Sequence, residues 1–248
     1  MAHLAGKPAT KLAANARIIV VGGHTRSIGK TQLVCDIISA LPEANWIAGK
    51  ITQYGHGVCA QNGHDCDCAP DEHVCAISWE HDATTGTDSS RFLAAGADRS
   101  FWLRTKQGFL AEGMPLFRDA FDKIARDRSE QTRVDSDAPR VNVILESNTL
   151  LQFLKPDLFL MVLHPGKTDF KDSAQLQLDR ASAFVLREPL PSSTGTKDTT
   201  ESWGKVPPQL LNCKPQFLQR ETDRLPPPLL EIVRNLACTQ AQTPSINP

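Results

Sequence analysis

The chain has 248 residues, of which 40% are hydrophobic, so it is long enough to bury the core of one α/β domain. Its formal net charge is −1 and its isoelectric point is near 6.6, which gives no electrostatic bias toward nucleic acid or an anionic membrane. Because no stretch approaches the ~20 apolar residues of a membrane span, and residues 1–16 lack the apolar core of a signal peptide, we expect a cytoplasmic protein with neither kind of partner.

The most informative motif lies near the N-terminus, where a strand pattern leads into a glycine-containing loop and then a helix. Residues 18–21 are β-branched and predict a buried strand, and Gly29-Lys30-Thr31 opens an amphipathic helix. This order is typical of a phosphate-binding loop, whose amides face an anion, whose lysine reaches the terminal phosphates and whose hydroxyl ligates Mg²⁺. The predicted nucleotide-binding residues are Gly23, His24, Thr25, Arg26, Ser27, Ile28, Gly29, Lys30, Thr31 and Gln32.

The loop departs from the usual spacing. His24 stands where the pattern has glycine, and Gly22 and Gly23 come one or two positions earlier. We therefore expect a loop of unusual length or geometry; a chance match in a surface turn is the alternative.

Strand and helix patterns alternate along the rest of the chain. Strands are predicted at 46–52, 73–79, 100–104, 141–146, 158–163, 183–186 and 216–219, and helices at 88–95, 114–125, 149–154, 172–180 and 229–236. Residues 126–140 read as a polar connector. The alternation predicts a three-layer α/β fold with a mostly parallel sheet and helices on both faces.

The same patterns divide the chain into segments. Residues 1–16 are expected to form an extension, 17–236 one nucleotide-binding domain, and 237–248 a tail. Inside the domain we expect a Cys/His-rich insertion at 54–75 and an irregular loop rich in Pro, Ser and Thr at 188–208.

Two further side chains are predicted to complete the catalytic set. Glu146 directly follows a hydrophobic run, where a carboxylate can organise Mg²⁺ and water; capping of the turn at Ser147 and Asn148 is the alternative. Lys50 lies at or near the end of the second strand and is expected to face the phosphates, unless it is an ordinary solvated lysine. The catalytic candidates are thus Lys30, Lys50 and Glu146, and the Mg²⁺ candidates are Thr31, Glu146 and Asp82. Asp88, which like Asp82 ends or follows the neighbouring strand, could serve the same metal.

A second motif bears on the choice of base. Lys167 and Asp169 follow the predicted strand at 158–163, where guanine-binding proteins often place a lysine and an aspartate that read the base. A Gly/Pro turn with solvated charges explains the same residues equally well. The bound nucleotide is therefore expected to be ATP or GTP, with the base left open.

Four of the seven cysteines lie close together, at Cys59, Cys66, Cys68 and Cys75, interleaved with His56, His64, His73 and His81. In a reducing compartment this density favours a metal site over disulfides, with Zn²⁺ ahead of an iron–sulfur cluster. The alternative is that Cys75 is a buried strand residue and the others are ordinary loop thiols.

The chain resembles the branch of P-loop NTPases that includes dethiobiotin synthetase and the GTP-binding protein of molybdopterin-guanine dinucleotide biosynthesis. The resemblance rests on Ile28-Gly-Lys-Thr31, on Ala48-Gly-Lys50, on residues 87–97 (Thr-Asp-Ser-Ser-Arg-Phe-Leu-Ala-Ala-Gly-Ala) and on the strand that ends at Glu146. It spans about residues 17–187. It implies a P-loop fold, a lysine at position 50 that assists the phosphates, cofactor-type metabolism and a homodimer. Ser147-Asn148, where relatives tend to have Gly, and the Cys/His loop depart from these relatives.

Three classes of function follow. The first is a Mg²⁺-dependent protein that hydrolyses ATP or GTP or transfers the γ-phosphoryl group to a small-molecule or protein acceptor, which the sequence does not identify. The second is a metallochaperone or cofactor-assembly switch in which the Cys/His loop carries a metal, as in nucleotide-dependent nickel insertion proteins. The third is a non-catalytic adaptor that binds a nucleotide and a partner enzyme.

Overall fold

A computed structural model of the chain describes residues 16–54, 74–131, 141–187, 206–220 and 225–238. The strands are β1 (Ala16–Gly23), β2 (Ile47–Tyr54), β3 (Cys75–Glu80), β4 (Arg99–Lys106), β5 (Val141–Glu146), β6 (Leu158–Leu163), β7 (Ala183–Arg187) and β8 (Gln216–Gln219). The helices are α1 (Lys30–Ala40), α2 (Asp88–Ala94), α3 (Leu110–Gln131), α4 (Asp172–Gln175), α5 (Pro208–Asn212) and α6 (Pro227–Cys238). Short 3₁₀ helices cover Pro42–Ala44, Thr149–Gln152 and Leu178–Arg180.

The described strands form one sheet in the order β3-β4-β2-β5-β1-β6-β7-β8. All neighbours are parallel except β3, which pairs antiparallel with β4. β1 lies at the centre, between β5 and β6. The carboxyl ends of β1, β5 and β6 therefore meet at one edge of the sheet, the place where open α/β sheets bind ligands.

Helices cover both faces of the sheet. Successive β1 residues alternate between two cores: Ile18 and Val20 belong to one core, and Ile19 and Val21 belong to the other. The first core packs against α3 and the second against α1 and α6, because these helices place apolar stripes against the strands. The predicted three-layer α/β fold with a mostly parallel sheet is confirmed.

Several local predictions need correction. Helix α3 begins at Leu110 and runs to Gln131, so Pro115 lies inside the helix and not at its start, and the predicted connector at 126–140 is helical over its first residues. The N-cap of α2 is Thr87, which accepts from the Ser90 N–H at 3.1 Å; the sequence pattern at 86–90 suggests Asp88 or Ser89 as the capping residue. The helix predicted at 172–180 is divided into α4 and a 3₁₀ turn.

Most residues of the predicted extension, insertion, irregular loop and tail lie outside the described ranges. Of their described members, Ala16 begins β1, Cys75 begins β3, Pro208 begins α5, and Ala237 and Cys238 end α6. No described helix combines the length and apolar character needed to cross a membrane.

Gly49 in β2 leaves room for the ring of Phe101, its paired residue in β4. A Cβ atom added to Gly49 would lie 2.2 Å from Cζ of the fully buried Phe101. We expect Gly49→Ala to lower the free energy of unfolding by about 1–3 kcal/mol, because the Phe101 ring has to move within a packed core. Urea unfolding measures the change. The double variant Gly49→Ala/Phe101→Leu should be less destabilised than the sum of the two single variants, and strict additivity would contradict this explanation.

Candidate functional site

The loop between β1 and α1 has a conformation that requires glycine at one position. Gly29 has φ +87°, in the left-handed region. A Cβ atom there would also lie 2.7 Å from a guanidinium nitrogen of Arg187, which donates to the Gly29 carbonyl at 2.7 Å. Both the backbone and Arg187 thus exclude a side chain at Gly29.

The loop amides divide into an anchored group and an unpaired group. The Gly23 N–H donates to the Asn148 side-chain oxygen at 2.8 Å, and the His24 N–H donates to the Val162 carbonyl at 3.3 Å. For the backbone N–H groups of residues 25–32, the described part of the chain supplies no hydrogen-bond acceptor. This run leads into the N-terminal turn of α1, whose dipole attracts negative charge. These N–H groups can donate hydrogen bonds to several oxygen atoms of one anion.

Lys30 is the first residue of α1 and lies against this loop. Its Nζ donates to the Thr25 carbonyl at 2.6 Å. Burial, more than any neighbouring charge, lowers the pKa of Lys30 to about 8, and the positive charges of Lys50 and Lys171 lower it further while Glu146 opposes them. A lysine that is held close to unpaired amides is suited to neutralise a polyanion.

A compact group of oxygen atoms and one ammonium lies beside the start of α1. The Thr31 hydroxyl donates to Glu146 Oε2 at 2.7 Å, and Lys50 Nζ lies 3.0 Å from Glu146 Oε1. Lys50 also forms an ion pair with Asp88, the first residue of α2. Three elements, β2, β5 and α2, thus bring these side chains to the beginning of α1.

The sheet register fixes part of this group. Lys50 and Glu146 are directly paired across β2 and β5. Glu146 is the last residue of β5, but Lys50 lies within β2, which continues to Tyr54 along β4. Lys50 therefore lies at the site because it is paired with the last residue of β5, although its own strand β2 continues for four more residues.

Opposing effects act on the two partly buried charges of this group. Burial would lower the pKa of Lys50, but the charge of Glu146 and the hydrogen bond to Asp88 offset it, so that the pKa is raised. Burial would raise the pKa of Asp88, but the hydrogen bond and charge of Lys50 outweigh it and the pKa is lowered. Both groups are thus ionised near neutral pH.

Asp82, a predicted Mg²⁺ ligand, lies in an exposed turn after β3. Its carboxylate accepts from the Thr84 N–H at 2.8 Å and from the Thr84 hydroxyl at 2.6 Å. These hydrogen bonds lower the pKa of Asp82. The structure brings Asp88, and not Asp82, to Lys50 and Glu146.

The two residues predicted to read guanine contact the loop between β1 and α1. Lys167 Nζ donates to the Ser27 carbonyl at 2.6 Å, and Asp169 accepts from the Thr25 hydroxyl. The Lys171 N–H donates to the His24 carbonyl at 2.8 Å. Together with a contact of the His24 ring described below, these hydrogen bonds join the segment 164–171 after β6 to the loop at four points.

His24 is a packing residue between the loop and that segment. It is 1% exposed, and its ring stacks on Phe170 with centroids 5.0 Å apart. Nε2 lies 3.3 Å from the Lys167 carbonyl, so this nitrogen carries the proton. Burial lowers the pKa of His24, which keeps the ring neutral near pH 7. The residue that breaks the usual glycine pattern thus joins the loop to its neighbour.

The remaining predicted loop residues differ in exposure. Ile28 is buried in the α1 core, whereas Arg26, Ser27 and Gln32 are exposed. The Gln32 side-chain Oε1 accepts from Arg91 at 2.9 Å, and its Nε2 donates to Asp36 at 2.7 Å. Gln32 therefore connects α1 to α2 along the rim of the site.

Sequence reasoning missed two residues that hold the loop. Asn148 bonds both the N–H and the C=O of Gly23, and Arg187 bonds Gly29 across 158 residues of chain. Both lie at or just after the carboxyl end of a predicted parallel strand. That placement is the only signal that could have identified them.

The predicted Zn²⁺ or iron–sulfur site lies largely outside the described residues, which exclude Cys59, Cys66 and Cys68. Cys75 is described; it begins β3, and its Sγ lies 3.7 Å from the Glu112 carbonyl. Within the described ranges, no group of three or more His, Cys, Asp or Glu side chains is arranged to hold a metal ion.

The chain matches no protein-family model, and no curated protein sequence matches it. Among solved structures, it is similar to HypB from Helicobacter pylori, whose crystal structure is a complex with nickel. The TM-score is 0.44 at 14% sequence identity, over 88% of this chain and 83% of that chain. At this level of similarity no property of HypB is carried over to this chain.

Proposed function

We propose that the protein is a Mg²⁺-dependent P-loop protein that binds ATP or GTP and hydrolyses it or transfers its γ-phosphoryl group. The observation that carries the proposal is the run of backbone N–H groups at 25–32 without acceptors among the described residues, next to Lys30. Such a run of amides at a helix N-terminus matches the charge and the spaced oxygen atoms of a polyphosphate.

The side chains beside the loop fit Mg²⁺. Thr31, Glu146 and Asp88 offer a hydroxyl and two carboxylates, the hard oxygen donors that Mg²⁺ prefers. When bound, the ion would neutralise charge on the transferring phosphoryl group. We assign Asp88 to the role predicted for Asp82, because Asp88 shares Lys50 with Glu146 while Asp82 bonds its own turn.

The two lysines have complementary roles in this proposal. Lys30 exchanges the Thr25 carbonyl for phosphate oxygens, and Lys50 neutralises charge that develops on the transferring group. Glu146 orients the Thr31 hydroxyl and an attacking water. Catalysis of phosphoryl transfer needs little more than such placed charges.

Lys167 and Asp169 support the loop in this proposal. Their side chains bond the Ser27 carbonyl and the Thr25 hydroxyl, so we assign them to holding the phosphate loop. Their predicted contact with guanine stays a prediction, and the nucleotide is ATP or GTP.

Calorimetric titration tests the proposal. We expect micromolar or tighter binding of ATP or GTP with Mg²⁺, weaker binding without Mg²⁺, and negligible binding of the corresponding nucleoside, because the contacts are to the phosphates. Equal affinity for nucleoside and nucleoside triphosphate, or no binding of either nucleotide, would refute the proposal.

The lowered pKa of Lys30 predicts a pH dependence of nucleotide affinity. With a pKa of about 8, the free protein loses this charge as the pH rises, so that Kd should increase up to about tenfold between about pH 7 and pH 9. Lys30→Met should flatten this part of the profile in the same titration. Folding stability should change in the opposite sense. The folded state loses the Lys30 proton near pH 8, whereas the unfolded state keeps it up to about pH 10.5. The free energy of unfolding should therefore rise as the pH increases from about 8 to about 10.5. A parent Kd that is constant over this range would contradict the assignment.

The other two predicted classes, metal delivery and a non-catalytic adaptor, stay predictions. Metal analysis of protein purified without chelator, compared with a Cys59→Ser/Cys66→Ser/Cys68→Ser variant, tests the first. A metal whose affinity changes with nucleotide favours delivery, and a stoichiometric, tightly held metal favours a structural site or a cluster. For the second, nucleotide binding that Lys30→Ala abolishes, without turnover of any acceptor by the parent, favours an adaptor.

A further inference from the structure

The ammonium group of Lys50 lies between two carboxylates that the proposed function assigns to Mg²⁺. It is 3.0 Å from Glu146 Oε1 and forms an ion pair with Asp88, while the other Glu146 oxygen accepts from Thr31. The Lys50 side chain is 20% exposed, and that of Glu146 is 5% exposed. The Asp88 side chain is 32% exposed. One ammonium thus offsets one of two carboxylate charges and leaves a net negative charge at a partly buried site.

The backbone of Lys50 is fixed, so only its side chain is free to move. Lys50 is paired with Glu146 on one side and with Trp102 on the other, in the interior of β2. A lysine has a flexible four-carbon stem and a compact ammonium, in contrast to the planar fork of an arginine. The ammonium can therefore leave the carboxylates by rotation of the stem, with no change in the sheet.

We propose that Lys50 is a tethered counter-ion that competes with the divalent cation for Asp88 and Glu146, and that it has to leave both carboxylates before the cation binds. The proposal rests on the proposed function, because it takes Thr31, Asp88 and Glu146 as the cation ligands. Two cations cannot share one pair of carboxylates without strong repulsion. The released ammonium is then free to pair with phosphate oxygens, which couples cation binding to phosphate binding.

The proposal makes an unusual prediction: removal of a positively charged residue predicted to be catalytic should strengthen cation binding. We choose Mn²⁺ as the probe, in the absence of nucleotide, because electron paramagnetic resonance counts the free ion directly. Lys50→Met should bind Mn²⁺ at least about tenfold more tightly than the parent, since the competing ammonium is gone. Addition of Mg²⁺ should displace the bound Mn²⁺.

Lys171→Met is the matched control. Lys171 is partly buried and its charge acts on the same region, but it forms no ion pair with Asp88 or Glu146 among the described residues. The Lys171→Met substitution removes one positive charge and should change Mn²⁺ affinity by no more than about threefold. Lys50→Arg keeps the charge and should bind Mn²⁺ no more tightly than the parent. If Lys50→Met does not fold, Lys50→Gln replaces it, with the same expected result.

Unchanged or weaker Mn²⁺ binding by Lys50→Met would overturn the proposal, as would equal tightening by Lys171→Met or Lys50→Arg. The result is separable from a failure of the proposed function. If the parent binds ATP or GTP but Lys50→Met does not bind Mn²⁺ more tightly, only the counter-ion role is wrong. If no nucleotide binds, the proposed function is wrong whatever the Mn²⁺ measurement shows.

Discussion

Lys30→Ala is expected to weaken the binding of nucleoside triphosphate by more than about a hundredfold, or about 3 kcal/mol. Lys30 donates to the Thr25 carbonyl from the first turn of α1, so its ammonium already lies over the loop that would hold the phosphates. Its loss removes a charged group that bonds the loop directly. Calorimetric titration with the preferred nucleotide and Mg²⁺ measures the change.

Lys171→Ala is the control for general electrostatics. Its backbone N–H bonds His24, but substitution keeps that hydrogen bond and removes only the side-chain charge. Its affinity should stay within about fivefold of the parent. If Lys30→Ala binds nucleotide as tightly as the parent, or if Lys30→Ala and Lys171→Ala lose nucleotide affinity by the same factor, Lys30 has no specific contact with phosphate.

Glu146→Gln is expected to remove most of the Mg²⁺ dependence of nucleotide affinity and to lower turnover by about a hundredfold or more. Glutamine is nearly isosteric and still accepts from the Thr31 hydroxyl, so that the loss reports charge and not shape. Nucleotide binding in the absence of Mg²⁺ should change by only a few fold. Titration with and without Mg²⁺ and a phosphate-release assay give the two quantities.

Glu80→Gln provides the comparison for a carboxylate with a structural role. Glu80 ends β3, and its carboxylate accepts from Thr87 and Ser89 at 3.1 Å, so it holds the start of α2. We expect this variant to keep the Mg²⁺ dependence of the parent. Loss of that dependence in Glu80→Gln but not in Glu146→Gln would contradict the assignment of Glu146.

Buried strands were the features that the sequence predicted best. The runs in β1, β5 and β6 are apolar on both faces, a pattern that places them in the middle of a parallel sheet. The direction of β3 was not predictable, because an edge strand that pairs with one neighbour carries no local signal of its orientation. Helix α3 was predicted to begin only at residue 114, next to Pro115, which is common in the first turn of a helix. It begins at Leu110, whose buried side chain adds to the core one turn earlier.

The site was predictable to the extent that its residues are adjacent in sequence or end a strand. Lys30 and Thr31 were predicted from one motif. In the structure Lys30 bonds the Thr25 carbonyl and Thr31 bonds Glu146. The contacts of Asp88 with Lys50 and of Arg187 with Gly29 depend on the order of the strands in the sheet, which a single sequence does not contain. The histidine at position 24, where the usual pattern has glycine, is likewise explained by tertiary structure, because its ring packs on Phe170.

In the proposed function, the backbone N–H groups of residues 25–32 bind the phosphates of a nucleotide. Amide NMR of the parent, titrated with a non-hydrolysable nucleoside triphosphate and Mg²⁺, observes these groups individually. We expect the largest shifts on residues 25–32, and we expect no such shifts when the nucleoside alone is added. Saturable binding that leaves these amides unshifted, with the perturbed residues elsewhere in the chain, would contradict the proposed function.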